Sequence, residues 1–232
     1  MKTRCGICSR LDVKIMSQYL LKARDPISSF THFLGAVFFA VATFVLVGKT
    51  MSLQTWSPKI LVGVVIFGVS LVALYSASAA YHYSNGSKKK IMVLRKLDHS
   101  MIYVLIAGSY TPILLKYLPQ KESLIFVSIM WACAAVGIFI KLCWFSAPRW
   151  LQTVLYIAMG WAILFDISIF KEMSGVALFL LAAGGISYTI GGIIYILKKP
   201  NFSPEFGFHE LFHIFVLLGS AFHYLMVLFY VA

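Results

Sequence analysis

Seven predominantly apolar stretches follow one another along this chain: Phe30–Gly48, Ile60–Tyr83, Leu97–Leu115, Ser123–Ile140, Trp150–Phe170, Ser174–Leu197 and Phe208–Ala232. About 20 such residues, coiled as an α-helix, cross the roughly 30 Å hydrocarbon core of a bilayer. Only 12% of the 232 residues are charged, about half the usual share, which leaves too little polar surface to coat a soluble fold of this size. The pattern predicts an all-α membrane protein with seven transmembrane helices. The joints between runs carry turn formers, as in Ser84-Asn85-Gly86-Ser87 and Pro200-Asn201-Phe202-Ser203-Pro204. One transmembrane domain over 27–232 is therefore expected. Before it, residues 1–26 form a basic tail without the apolar core of a cleaved signal peptide, and Leu11–Leu21 reads as a helix lying on the bilayer surface.

The net charge is +12, but no stretch interleaves aromatic and basic residues into a nucleic-acid platform. The cations border the apolar runs instead, where they set topology and meet anionic lipid headgroups. With the N-terminus placed in the cytoplasm, 15 Lys and Arg fall on the inner side and five on the outer. Hence the N-terminus is expected to be cytoplasmic and the C-terminus extracytoplasmic. Four cysteines make no disulfide framework, and the lone Cys5-Gly-Ile-Cys8 is read as two free thiols. Nothing in the chain signals an oligomeric state.

On this frame the unusual polar residues converge. His32, His82, His99, His209 and His213 all fall near the inner leaflet, together with Asp98 and Glu210. His223 lies about 15 Å further along the seventh run, and Asp166 lies near the outer headgroups. Ionisable groups inside a membrane are expensive and mark functional sites. His209 and His213 are four residues apart, so they share one helix face and can grip one metal. With His82 they form the three-imidazole set of an open, tetrahedral zinc site. Asp98 can hold a water or take its proton, and Ser78, one turn before His82, can donate to an oxyanion. His99 and His223 read as ordinary hydrogen-bonded residues; His32 either supports a ligand or packs between helices. His209-Glu210-Leu211-Phe212-His213 also fits H-E-x-x-H, with Glu210 as base of a metalloprotease, but its place in a membrane span argues against that. Imidazoles alone do not separate zinc from iron, nickel or copper. Elsewhere Pro112 is expected to kink the third helix, and Gly184-Gly185 and Gly191-Gly192 to let helices approach closely. No phosphate-cradling glycine loop and no nucleophile elbow is present.

These same residues carry a family likeness. Thr31-His32-x-x-Gly35, Ser78-x-x-x-His82, Leu97-Asp98-His99-Ser100, Ala107-Gly108-Ser109-Tyr110-Thr111-Pro112 and His209-x-x-x-His213 occur in order. The set resembles the hemolysin III family, the bacterial branch of the progestin and adipoQ receptor superfamily, over residues 25–232. The resemblance implies a seven-helix bundle in the bacterial plasma membrane with zinc near the cytoplasmic leaflet. It places the three ligands on His82, His209 and His213, the water-bridged aspartate on Asp98 and the motif serine on Ser78. Glu210 is not a position the family requires.

Eukaryotic relatives in that superfamily act as hormone receptors and are linked to ceramide hydrolysis. The expected function is therefore a zinc-dependent hydrolase of a lipid amide or ester, ceramide-like or another acyl lipid, with membrane lipid as substrate or ligand. Two alternatives stand beside it: a membrane sensor or receptor in which zinc is structural, and a membrane-lytic protein, as the family name suggests. No pair of charged, broken helices at mid-membrane marks a transport pathway.

Overall fold

The computed structural model describes residues 22–52 and 57–232. The Cys5–Cys8 pair and the surface helix expected over Leu11–Leu21 lie outside the described residues. Seven α-helices follow in order: α1 (Pro26–Ser52), α2 (Pro58–Tyr83), α3 (Lys88–Tyr117), α4 (Gln120–Cys143), α5 (Arg149–Gly160), α6 (Gly175–Leu197) and α7 (Phe208–Tyr230). Two 3-10 turns, Ala162–Phe165 and Ile167–Glu172, separate α5 from α6, and there is no strand among the described residues. Five of the helices, α1, α2, α4, α6 and α7, are long and apolar enough to cross a membrane.

Local chemistry sets the boundaries. Pro58 occupies the first turn of α2, where its missing N–H costs nothing. The Ser87 hydroxyl accepts from the Lys90 N–H at the start of α3, and Ser174 does the same for Ala177 in α6. The third helix thus begins nine residues before its apolar run, because Lys and Arg stems suit a helix whether or not it lies in lipid. That helix continues without interruption through Pro112.

The fifth run departs most from expectation. It is not one helix but a 12-residue helix followed by the two 3-10 turns. Two side chains hold the break. The Tyr110 hydroxyl donates to the Gly160 carbonyl at 2.8 Å and accepts from the Ile163 N–H at 2.8 Å. Asp166 accepts from the Ser168 N–H and hydroxyl, and so caps the second turn. Backbone groups freed in an apolar setting are thereby satisfied internally.

The helices pack as a closed ring in chain order, α7 returning against α1, with α3 also touching α5 and α7. One end of the bundle gathers the start of α1, the end of α2, and the starts of α3 and α7. There Asp25 N–H bonds His82 O at 3.0 Å, and the Ser28 hydroxyl bonds Glu210 Oε1 at 2.9 Å. At the other end Lys49 donates to the Leu228 carbonyl and Tyr117 to that of Tyr230. Phe39, Phe67, Leu71, Tyr75 and Met226 are fully buried between these ends. The α6 glycines do bring backbones together: a Cβ on Gly184 would lie 3.2 Å from the Gly219 carbonyl of α7.

Candidate metal centre

His82 sits in the last turn of α2, and His209 and His213 in the first two turns of α7. His82 and His213 are each 2% exposed. One ring nitrogen from each of the three lies within 4.8 Å of the others. The His82 and His209 Nε2 atoms are 3.3 Å apart. Two nitrogens bound to one tetrahedral zinc at about 2.0–2.1 Å lie about 3.3–3.4 Å from each other. The donor set and this one spacing are compatible with zinc, and the structure brings together the three residues that the sequence pattern suggested.

Sequence reasoning missed the group that orients His82. Asp25 Oδ2 lies 2.8 Å from His82 Nδ1, which turns Nε2 toward the other imidazoles. A histidine held in this way presents a fixed tautomer to a metal. Arg24 grips the same oxygen through Nε and Nη2 at 3.1 and 2.9 Å, and its guanidinium covers the Tyr81 ring. Burial pushes the Asp25 carboxyl up, but His82 and Arg24 outweigh it and hold the group below its ordinary value. The only signal in the sequence was an acid before a proline at a helix start, which does not name a partner 57 residues away.

Ser78 and Asp98 line one largely apolar cavity with His209 and His213, about 140 Å³ in volume. Asp98 lies near Ser78 and within Coulombic range of His82. His99 Nδ1 lies 3.2 Å from Asp98 Oδ2, close enough for an ion pair though not aligned as a hydrogen bond. His32, 3% exposed, is outside the three-histidine cluster; its ring stacks on His213 at 3.8 Å and 12° and meets the edge of Tyr75. It packs against one of the three. Both Glu210 oxygens are engaged, one by Ser28 and the other by the Gly207 N–H, so this carboxylate caps α7 and is not poised as a protease base.

His223 stands apart, its Nε2 3.3 Å from the Leu181 carbonyl. A second cavity of about 410 Å³ begins there, at the break after α5. The two share Tyr110, Gly160, Trp161 and His223 on their walls, so apolar space extends from the histidines deep into the bundle.

Comparison with known proteins identifies the family. Residues 21–224 match the family model described as Haemolysin-III related. A Hemolysin-3 homolog of Bacillus subtilis (strain 168) is 40% identical over 171 residues, 73% of this chain and 78% of the relative. Hemolysin-3 of Bacillus cereus is 36% identical over 208 residues, 88% and 90% of the two chains. The Adiponectin receptor protein of Drosophila melanogaster is 29% identical over 214 residues, 84% of this chain and 48% of that longer one. With its apolar helices, the chain is a multi-pass protein of the bacterial cell membrane, and it belongs to the haemolysin III family.

Proposed function

We propose that the chain is a zinc-dependent hydrolase of a lipid amide or ester, with His82, His209 and His213 as ligands. The observation that carries this reading is the 3.3 Å approach of the His82 and His209 nitrogens beside a cavity that Asp98 and Ser78 also line. Residues 27–232 act as one domain of seven spans, the five long apolar helices being joined by α3 and by α5 with its two 3-10 turns. The N-terminus is cytoplasmic and the C-terminus extracytoplasmic, so the histidines lie near the inner leaflet.

Zinc bound there supplies Lewis acidity and makes water a nucleophile near neutral pH. The chain's own groups supply the rest. Asp25 orients His82. Asp98 takes a proton at its carboxylate and returns it to the leaving amine or alcohol. Ser78 donates to the carbonyl oxygen as negative charge grows on it. The apolar cavity holds an acyl chain and keeps bulk water away from Asp98.

The test is metal content per chain by mass spectrometry on detergent-purified protein, for wild type, His82→Ala and His209→Ala. About one zinc per wild-type chain, lost in both variants, supports the centre. A screen of lipid amides and esters follows, in which Asp98→Asn retains zinc and loses turnover. A metal-free wild type that remains folded would sink the proposal.

A second reading takes the metal as a structural tie in a sensor. It is favoured by one observation: the three histidines join α2 to α7, which are not neighbours in the ring. Zinc without turnover on any acyl lipid, and unfolding on chelation, would select it.

A further inference from the structure

Phe145 lies in the joint between α4 and α5. Lys141 Nζ is 4.6 Å from the centre of its ring, Arg95 Cζ 5.2 Å and Lys96 Nζ 5.6 Å. A phenyl face attracts a cation but cannot neutralise it, and three cations gathered on one ring repel one another. Ion pairs among the described residues are Arg24–Asp25, His82–Asp25 and His99–Asp98, so none of the three cations pairs directly with a carboxylate, and Asp98 reaches Lys141 only through longer-range attraction. Among the described residues Lys141 bonds the amide oxygen of Gln152, and Lys96 the Leu142 carbonyl. Lys141 is nonetheless just 4% exposed.

Topology-setting lysines behave differently. Lys88, Lys89 and Lys90 are all exposed, as residues that reach for bulk headgroups should be. Lys141 turns inward, and two further cations turn toward the same ring. This arrangement is held together most economically by an anion between them.

The cluster adjoins the cavity. Gln152, which takes the Lys141 hydrogen bond, lines it, as does His99, whose ring is 6.4 Å from Phe145. Asp98 is the residue before His99 in the chain. Arg149 covers Tyr195, another lining residue, at 4.7 Å. We propose that Arg95, Lys96 and Lys141 around Phe145 form a headgroup site that holds the phosphate of an anionic phospholipid at the mouth of the cavity. Arginine and lysine together suit phosphate oxygens, the first by its planar fork and the second as a point charge. In such a lipid an acyl carbonyl lies only a few bonds from the phosphate. Its carbonyl then falls toward Asp98 and Ser78 while its chain fills the apolar space. The substrate class becomes a phosphate-bearing acyl lipid rather than a neutral ceramide-like one. That last step rests on the hydrolase proposal; the headgroup site does not.

The experiment uses the full chain in phosphatidylcholine vesicles into which brominated phosphatidylglycerol or brominated phosphatidylcholine is titrated. Quenching of tryptophan fluorescence reports occupancy, since Trp144 and Trp150 flank the joint and are 51% and 56% exposed. The wild type is expected to prefer phosphatidylglycerol by about tenfold, and Arg95→Gln and Lys141→Gln to lower that preference to about twofold or less. Arg95 is exposed, so Arg95→Gln should fold and keep its zinc. Lys141→Arg should keep the preference. The variant Lys88→Gln/Lys89→Gln/Lys90→Gln removes three cations outside the cluster and should leave it unchanged. Equal loss in that variant, or no preference in the wild type, overturns the site. Displacement of the lipid by millimolar inorganic phosphate would show that the site serves free phosphate, which also overturns the lipid assignment. Intact selectivity without hydrolysis of any acyl lipid would sink the hydrolase reading and leave the headgroup site standing.

Discussion

His82 Nδ1 and Asp25 Oδ2 lie 2.8 Å apart across the gap between the end of α2 and the start of α1. The contact is backed by the main chain, because the Asp25 N–H bonds the His82 carbonyl at 3.0 Å. One short segment therefore both closes the helix pair and aims an imidazole. Removing the carboxylate leaves all three candidate ligands in place but loosens one of them. Asp25→Ala is expected to weaken zinc binding by about 10- to 100-fold without changing the amount bound at saturation. Asp25→Asn should lose less, since its amide oxygen still accepts from Nδ1. Competition against a chromophoric chelator measures both, and an affinity equal to wild type would show that the ring is held by its packing alone.

His32 offers a test of where the ligand set ends. Its ring stacks on His213 at 3.8 Å, and neither of its nitrogens has an aligned partner among the described residues. Phenylalanine keeps the stack and removes two polar atoms from a buried site, a change that is nearly neutral or stabilising. His32→Phe should then bind about one zinc per chain, as an open three-histidine site requires, while His213→Phe should bind none. Zinc lost in both variants would make His32 a ligand.

The three-histidine cluster was legible because its chemistry is sparse. Few residues inside apolar runs are ionisable, and alternating the direction of seven runs brings His82, Asp98, His209 and His213 to one end. The resemblance rests on those same residues. The break after α5 was not legible, since Trp150–Phe170 is apolar throughout and hydropathy does not register how a backbone is hydrogen-bonded. What interrupts it is Tyr110, about 50 residues earlier on α3. Asp25 and Lys141 escaped for a related reason: they lie at helix ends, where charge is ordinary, and only the fold shows which groups they meet.

Tyr110 carries a prediction of its own. Its hydroxyl satisfies the Gly160 carbonyl and the Ile163 N–H at once. Tyr110→Phe preserves the ring and leaves both backbone groups without that partner. The expected cost is about 1–3 kcal/mol of stability, read as a lower midpoint of thermal unfolding in detergent, with zinc content unchanged because the Tyr110 hydroxyl bonds Gly160 and Ile163 and none of His82, His209 and His213. An unshifted midpoint would mean that water satisfies the break.

The α6–α7 contact supplies the sharpest steric test. A Cβ placed on Gly184 would lie 2.1 Å from His223 Cδ2 and 2.4 Å from its Nε2. The imidazole is fixed on one side by the Leu181 carbonyl at 3.3 Å and on another by the edge of Tyr188, so it has little room to yield. Gly184→Ala should therefore cost about 1–3 kcal/mol by overpacking. His223→Ala alone should also destabilise, through the cavity it leaves and the contact it loses. Together the two substitutions should cost less than the sum of the single ones, because the new methyl occupies space that the imidazole vacates. Residues in contact couple by about 0.5–3 kcal/mol, and a double-mutant cycle on thermal or denaturant unfolding reads that value directly. Strict additivity would show that α6 and α7 slide apart to admit the methyl group, and that the glycine is not what sets their separation.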